Sequence, residues 1–304
     1  MNQIFYICRK DLDGQKWDRC IEGATNGLIY AQVAYLDAMS VHWDALILGD
    51  YQAVMPLTWN RKYGIYYLYQ PFLCASLGIF GNGLNAGIVQ DFLTAIPARF
   101  RYCDIYLNSG NNFTIQGFDV YPRLNFVLSL NKPYDLLSGR FRNSYKQILR
   151  RFEKLGNRVS KEVPVDEVIA LAKEQLNPLF NVKTSDYLNF ASLFNWLKAD
   201  GKAESYGVYD KKGQLLASGL FLFSNQRAYY VLAGNHPDGR TIGASHAMLD
   251  AFIRQYSGSD LVLDFEGSDV SRIAFFFKGF GASELYYPGL KYNRLPRLLR
   301  WIKN

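Results

Sequence analysis

Histidine and cysteine are scarce in this sequence, with three and four copies in 304 residues. The cysteines are Cys8, Cys20, Cys74 and Cys103; no two form a C-x-x-C pair and no histidine lies close to them in sequence. That spacing gives a zinc site no support, and no metal is expected. Four scattered thiols make no disulfide framework either, and they fit a chain kept reduced in the cytoplasm. No run of about 20 apolar residues exists, so no membrane-spanning segment is expected. The opening MNQIFYICRKDLDG carries charge too early, and too short an apolar run, for a signal peptide. No Ser–His–acid set can be assembled from spacing, so hydrolase triad chemistry is not expected.

What the sequence does hold is apolar and aromatic. Hydrophobic residues make up 49% and charged residues 20%, enough to bury a full core. Aromatics reach 16%, with 22 Tyr and 21 Phe, which suit strands and ligand clefts. The formal net charge of +7 is a mild excess whose location matters more than its size. The length suits one large domain or two ordinary ones.

Two segments share one pattern. The first starts with a helix over 28–39, with Thr25 and Asn26 as its cap, then the strands WDALILGD (43–50), YQAVMPLTW (51–59) and YGIYYLYQPF (63–72). The second starts with helices over 165–180 and 186–199, then ESYGVYD (204–210), QLLASGLFLF (214–223) and QRAYYVLAGN (226–235). Each ends in strand material, RYCDIYLNSG (101–110) and DLVLDFEGS (260–268). The prediction is an α/β (α+β) chain with two tandem lobes, 1–135 and 136–304, each a mixed, mostly antiparallel sheet flanked by helices.

The chemistry is expected in the second lobe. Between strand 226–235 and helix 244–256 lies GNHPDGRTIGAS, with glycines 234, 239 and 243. A helix N-terminus offers unpaired N–H groups to an anion, and glycine allows close approach. Asn235, Gly239, Arg240, Gly243, Ala244 and Ser245 are the candidate donor-binding residues; a plain turn capped by Ser245 or Thr241 accounts for the same residues. At the end of strand 260–266, Asp264 and Glu266 alternate and are expected on one face. Glu266 is the candidate general base and Asp264 a candidate substrate ligand, against capping or pairing with a buried Arg. Tyr286 is the candidate general acid, against a core strand aromatic. His246 is placed one turn into the helix after the glycine turn.

A basic segment follows the join between lobes. From Arg140 to Lys161 the segment holds eight cations against a single acid, Glu153. Arg142, Lys146 and Arg150 recur every four residues as one helical stripe, with Tyr145, Ile148, Leu149 and Phe152 on the apolar side. Such a stripe suits a phosphate-rich partner, or is a solvated face.

These features resemble the GNAT superfamily of acyltransferases, in the double-GNAT arrangement of the FemABX-like branch. The resemblance runs over nearly the whole chain and rests on the repeated halves, the FRNSYKQILRRFEKLG helix, the strand–GNHPDGRTIGAS–helix unit and the DFEGS…FFKGFGA block. The family's acyl-CoA loop reads Gln/Arg-x-x-Gly-x-Gly/Ala; Arg240 and Gly243 match it, and Ser245 takes the last small position. The resemblance implies transfer of an acyl group to an amine, from acyl-CoA or from aminoacyl-tRNA, with a small-molecule or cell-envelope precursor as acceptor. It implies that the donor inserts between two splayed strands, 226–234 and 260–266, with its pyrophosphate on 239–245. Strand QRAYYVLAGN lacks the acid many relatives use, which leaves Glu266 or a water relay.

The first lobe's matching loop, LCASLGIFGNGLN (73–85), has no basic residue, so this lobe is expected to lack a donor site and to shape the acceptor side, with Gln70 as substrate ligand. The competing expectation is a GNAT-fold binding protein without turnover that recognises RNA or a nucleotide-linked precursor through 140–161. A third is membrane-surface docking by the tail NRLPRLLRWIKN (293–304), against a terminal helix packed on its own lobe.

Overall fold

A computed structural model describes residues 3–176, 182–267 and 269–296. The elements in chain order begin with β1 (Ile4–Cys8), α1 (Gly14–Gly23), α2 (Val33–Met39), β2 (His42–Leu48), β3 (Ala53–Lys62), β4 (Ile65–Tyr69), β5 (Phe80–Gly81), α3 (Ala86–Thr94), β6 (Phe100–Tyr106) and β7 (Asp119–Ser129). They continue with α4 (Tyr134–Gly139), α5 (Asn143–Glu153), β8 (Arg158–Lys161), α6 (Val165–Leu176), α7 (Thr184–Ala199), β9 (Ala203–Tyr209), β10 (Leu215–Ser224) and β11 (Arg227–Asn235). The last are α8 (Pro237–Ile242), α9 (Ala244–Tyr256), β12 (Val262–Asp264), α10 (Ser271–Lys278) and β13 (Ser283–Asn293).

The chain forms two compact units. Unit 1 contains the residues up to Leu124 and those from Tyr286 onward; unit 2 runs from Asn125 to Leu285. In unit 1 the strands follow the order β1-β2-β3-β4-β6-β13, with β5 on β3; in unit 2 they follow β7-β12-β11-β10-β9-β8. In each, the described ladders are antiparallel except one: β4 with β6, and β11 with β12. Both repeats therefore share one plan. The repeats exchange their closing strands. The strand after β6 in sequence, β7, pairs with β12, and the strand after β12, β13, pairs with β6. A division at 135/136 gives each half its own last strand; the pairing does not, because strand proximity in sequence does not dictate hydrogen-bonded neighbours.

Local sequence explains the elements. Asp13 caps α1 by accepting from the N–H groups of Gln15 and Lys16, and Trp17 and Ile21, four apart, are fully buried. Helix α2 starts later than Thr25–Asn26 implies; a short 3-10 turn over Ile29–Ala31 precedes it, and Gln32 stands at its cap without a side-chain bond. In unit 1, Val89, Phe92 and Leu93 of α3 pack with Met55, Leu68, Phe100 and Cys103 of the sheet. Burying one such side chain is worth about 1.5–3 kcal/mol. In unit 2, β10 is buried along most of its length, because α6 and α9 both pack on it. A strand covered on both faces reads as a continuous apolar run, as LLASGLFLF does.

Among the described residues no helix is long and apolar enough to cross a membrane. Of the tail 293–304, residues 297–304 lie outside those described, and with them the amphipathic feature read from the sequence.

Candidate functional site

The pairing of β11 with β12 is short. Arg227, Ala228 and Tyr229 face Val262, Leu263 and Asp264, and there β12 ends. Strand β11 continues to Asn235 on its other partner, β10, where Ala217 pairs with Asn235. Residues 230–235 thus run past the last described ladder pair with β12, and the two parallel strands part. A bulge marks the same point. Leu220 of β10 pairs with Leu232 and Phe221 with Tyr230, so Val231 has no opposite residue. A bulge re-aims backbone groups that a regular ladder would consume. The parting of these strands is what the GNAT resemblance implies; the bulge has no counterpart in that expectation.

The end of β12 is a polar knot. Asp264, 5% exposed, receives Nη1 of Arg227 at 2.6 Å, Nδ2 of Asn125 at 2.8 Å and the backbone N–H of Glu266 at 2.9 Å. The buried carboxylate is therefore paired internally, the alternative weighed against substrate contact. Glu266 lies two residues on with φ at +64°, in the left-handed region that non-glycine residues seldom occupy. The alternation that would place Asp264 and Glu266 on one face stops at Asp264, because the strand stops there. Backbone strain of this kind is concentrated at functional sites. Helix α10 closes over the strand end: Phe277 stacks on Phe265 with centroids 4.5 Å apart. It brings Lys278, a cation absent from the sequence reading, to 5.7 Å from the Phe126 ring and 2.5 Å from Glu284. The FFKGF run was its only sequence signal.

The 239–245 turn is not an open anion seat. Residues 237–242 form a short helix, α8, whose cap is the His236 side chain accepting from the Asp238 N–H. Gly243, at φ +76° and ψ +35°, ends α8 and starts α9, so neither Ser245 nor Thr241 is the cap. Helix α5 covers it: a Cβ on Gly243 would sit 2.1 Å from Cγ2 of Ile148. Arg151 donates from Nη2 to the Thr241 carbonyl at 3.1 Å. Gly239 is pressed on the backbone of β10, where a Cβ would meet the Leu216 carbonyl oxygen at 2.1 Å. Ala244 is fully buried, and Arg240 is exposed. Asn235 gives its carbonyl to Gln175, and its own Oδ1 is buried without a partner. The glycines serve close packing of helices here.

One turn into α9, His246 sits in an aromatic cage. Its ring meets Tyr145 edge-on at 4.4 Å and Phe276 at 4.9 Å. Burial pushes its pKa down to about 4, so it is neutral at neutral pH.

The basic stripe lies on α5 as expected, with Tyr145 and Phe152 buried on its other side. Arg142 stands just before the helix with its guanidinium 3.6 Å from the Phe275 centroid and one nitrogen buried unpaired. Lys146 donates to the Gly139 carbonyl at 2.8 Å, and Arg150 is exposed. Lys146 and Arg150 line a cleft of about 310 Å³ with Arg254 and Asp250 of α9 and Tyr134 of α4. Tyr134 donates to Asp250 at 2.5 Å and accepts from Arg254 at 2.9 Å. Burial raises the Asp250 carboxyl above its usual range.

In unit 1 the equivalent parallel pair also ends early, at Tyr69 with Asp104. Here the gap is stitched. Gln70 accepts the Tyr106 N–H at 3.0 Å and donates to the Cys74 carbonyl at 2.8 Å, and Leu77 bridges to Leu107. Gln70 is thus engaged at both ends of its amide. Tyr286 belongs to unit 1 and is half exposed on β13, whereas Glu266 belongs to unit 2. Among the described residues no group of three His, Cys, Asp or Glu is placed to hold a metal.

The comparisons agree with this geometry. Residues 139–271 match the family model described as an acetyltransferase (GNAT) domain. Among solved structures the chain superposes on FemX with a TM-score of 0.67 at 14% identity, covering 99% of this chain and 100% of that one. It superposes on L-PGS from Bacillus licheniformis with a TM-score of 0.59 at 13% identity, covering 94% and 93%. The C-terminal domain of a putative lysylphosphatidylglycerol synthetase from Agrobacterium fabrum gives 0.56 at 10% identity, covering 95% and 94%. A search of curated proteins finds no match. Residues 139–271 thus match a GNAT acetyltransferase domain, and the chain shares its fold over nearly its whole length with FemX.

Proposed function

We propose that unit 2 catalyses transfer of an acyl group, most consistently an aminoacyl group, to an amine of a cell-envelope precursor by direct attack. The reading is carried by the parting of β11 and β12 at a bulge, with Glu266 at the strand end. A carbonyl held beside residues 230–235 would receive backbone N–H donors as negative charge develops, which is oxyanion-type stabilisation. The attacking nitrogen forms the new C–N bond, the bond from carbonyl to the donor's leaving atom breaks, and the amine proton passes to Glu266 and then to the leaving group.

Two observations favour an aminoacyl-tRNA donor over acyl-CoA. The turn that would hold a CoA pyrophosphate is roofed by Ile148 and Arg151. The helix that roofs it presents Lys146 and Arg150, cations suited to a phosphate backbone. The structural likeness to FemX and to a protein named for lysylphosphatidylglycerol synthesis supports an acceptor from the cell envelope.

Calorimetric titration with CoA and with an aminoacylated acceptor-stem RNA tests this. RNA binding that weakens with salt and with Arg150→Glu, and transfer that falls by about 10²–10⁴-fold in Glu266→Gln, are the expected results. Tight CoA binding lost in Arg240→Glu would return the donor to the turn. Binding of neither donor would remove the enzymatic reading.

A further inference from the structure

Unit 1 holds a second polar site, beside Arg99 just before β6. A cleft of about 410 Å³ opens there beside the start of β2 and the end of β1. Its two carboxylates are already filled. Asp44, 6% exposed, accepts from the Tyr6 hydroxyl, the Arg9 N–H at 3.0 Å, the Trp59 indole at 2.7 Å and Nη2 of Arg99 at 3.2 Å. An ionised carboxylate offers about four lone-pair sites, so Asp44 has none to spare. Asp37 takes both Nε and Nη2 of Arg9, at 2.8 and 2.7 Å, and the Trp43 indole at 2.8 Å.

The donors are in surplus. Lys10 and His42 line the cleft and are exposed, and among the described residues neither side chain has a hydrogen-bond partner. The Arg99 guanidinium is 43% exposed and spends only Nη2 on Asp44 and Tyr6, while the rings of Tyr6, Trp59, Tyr66 and Phe100 hold it in place. A fixed guanidinium, an ammonium and an imidazole around satisfied carboxylates call for a ligand rich in acceptor oxygens and negative charge. Carboxylates supply two oxygens and one charge; a phosphate monoester supplies three strong acceptors and a charge of about −1.5 to −2.

We propose that this cleft binds a phosphate monoester, as a soluble phosphorylated metabolite or as a lipid headgroup that ends in a phosphate monoester. The site is independent of the transfer chemistry in unit 2.

The test titrates the full chain with inorganic phosphate and with AMP by calorimetry, and sediments it with phosphatidylcholine vesicles with and without phosphatidic acid, whose headgroup is a phosphate monoester. Saturable binding to at least one probe is expected. Lys10→Glu should weaken it about tenfold or more, equivalent to about 1.4 kcal/mol. His42→Ala should weaken it several-fold with an unchanged melting temperature, and Lys198→Glu, exposed on α7, should have no effect. Binding to AMP or phosphate identifies a soluble ester, and binding only to anionic vesicles identifies a headgroup. No saturable binding to any probe, or binding that follows Arg150→Glu and ignores Lys10→Glu, overturns the proposal.

Discussion

The contact between Ile148 and Gly243 makes a sharp prediction. In Gly243→Ala the new Cβ would lie 2.1 Å from Cγ2 of Ile148. Ordinary carbon contacts are about 3.5–4.0 Å, so α5 or the side chain must retreat by more than an ångström. Overpacking of that size costs about 1–3 kcal/mol. The residue also sits at φ +76°, where an L side chain adds about 1–2 kcal/mol. Together the single substitution should cost about 2–5 kcal/mol. Ile148→Ala is half-buried and should cost less than the 2–5 kcal/mol typical of a full core truncation. In the double variant the overlap is gone and only the backbone strain remains. The two substitutions should therefore be non-additive by about 1–3 kcal/mol. Urea unfolding of the four proteins measures this directly, with m-values checking that all unfold in the same way. Additivity within about 0.5 kcal/mol would refute the claim that α5 rests on the turn.

Three further outcomes are expected. His246 stays neutral in the fold down to about pH 4, whereas the unfolded chain protonates near its ordinary 6.5. The unfolded state thus binds the extra proton between those values. Stability should be full above about pH 6.5 and fall by up to about 3 kcal/mol as pH drops toward 4. Thermal melts of His246→Phe should show a flatter slope in that window; an identical slope sinks the assignment. Asp264→Ala leaves the half-buried Arg227 without its partner and should cost up to about 3–5 kcal/mol, while Asp264→Leu combined with Arg227→Leu should recover most of it. Equal losses in both, measured by denaturation, would speak against the pair. In unit 1, Gln70→Ala removes the acceptor of the Tyr106 N–H and should cost about 1–3 kcal/mol. Faster hydrogen exchange at Tyr106 checks it, and an unchanged rate would mean the gap closes without Gln70.

Most strands were legible in the sequence because each is an apolar or aromatic run ended by Gly, Asn or Asp, as in QRAYYVLAGN and β11. The parallel pairing that carries the site was implied only by the resemblance to the GNAT superfamily, not by the residues of the two strands. Other parts left no mark. The bulge at Val231 is a property of pairing between two strands, and nothing in either strand alone displays it. The exchange of β7 and β13 is likewise a choice of neighbour. Strand β1 was missed because IFYIC is short and runs straight into charge. At Gly243 one residue type answers two demands, ligand approach and helix packing, and only the position of Ile148 distinguishes them. Asp264 was placed correctly at a strand end, but its binding partners are Asn125 and Arg227, and Asn125 lies far away in sequence. The Glu266 backbone turn ends an alternation that the letters alone continue.

The exchanged strand also orders events during synthesis. Tyr106 on β6 finds its partner at Gly289, roughly 180 residues later, which at about 5–20 residues per second takes on the order of 10–40 s. Throughout that interval the growing chain carries an unzipped β6 margin, a template for pairing with neighbours on the same messenger. Shortening the protein after β12 would make that exposure permanent, so the final strand acts as the seal on the first-made half.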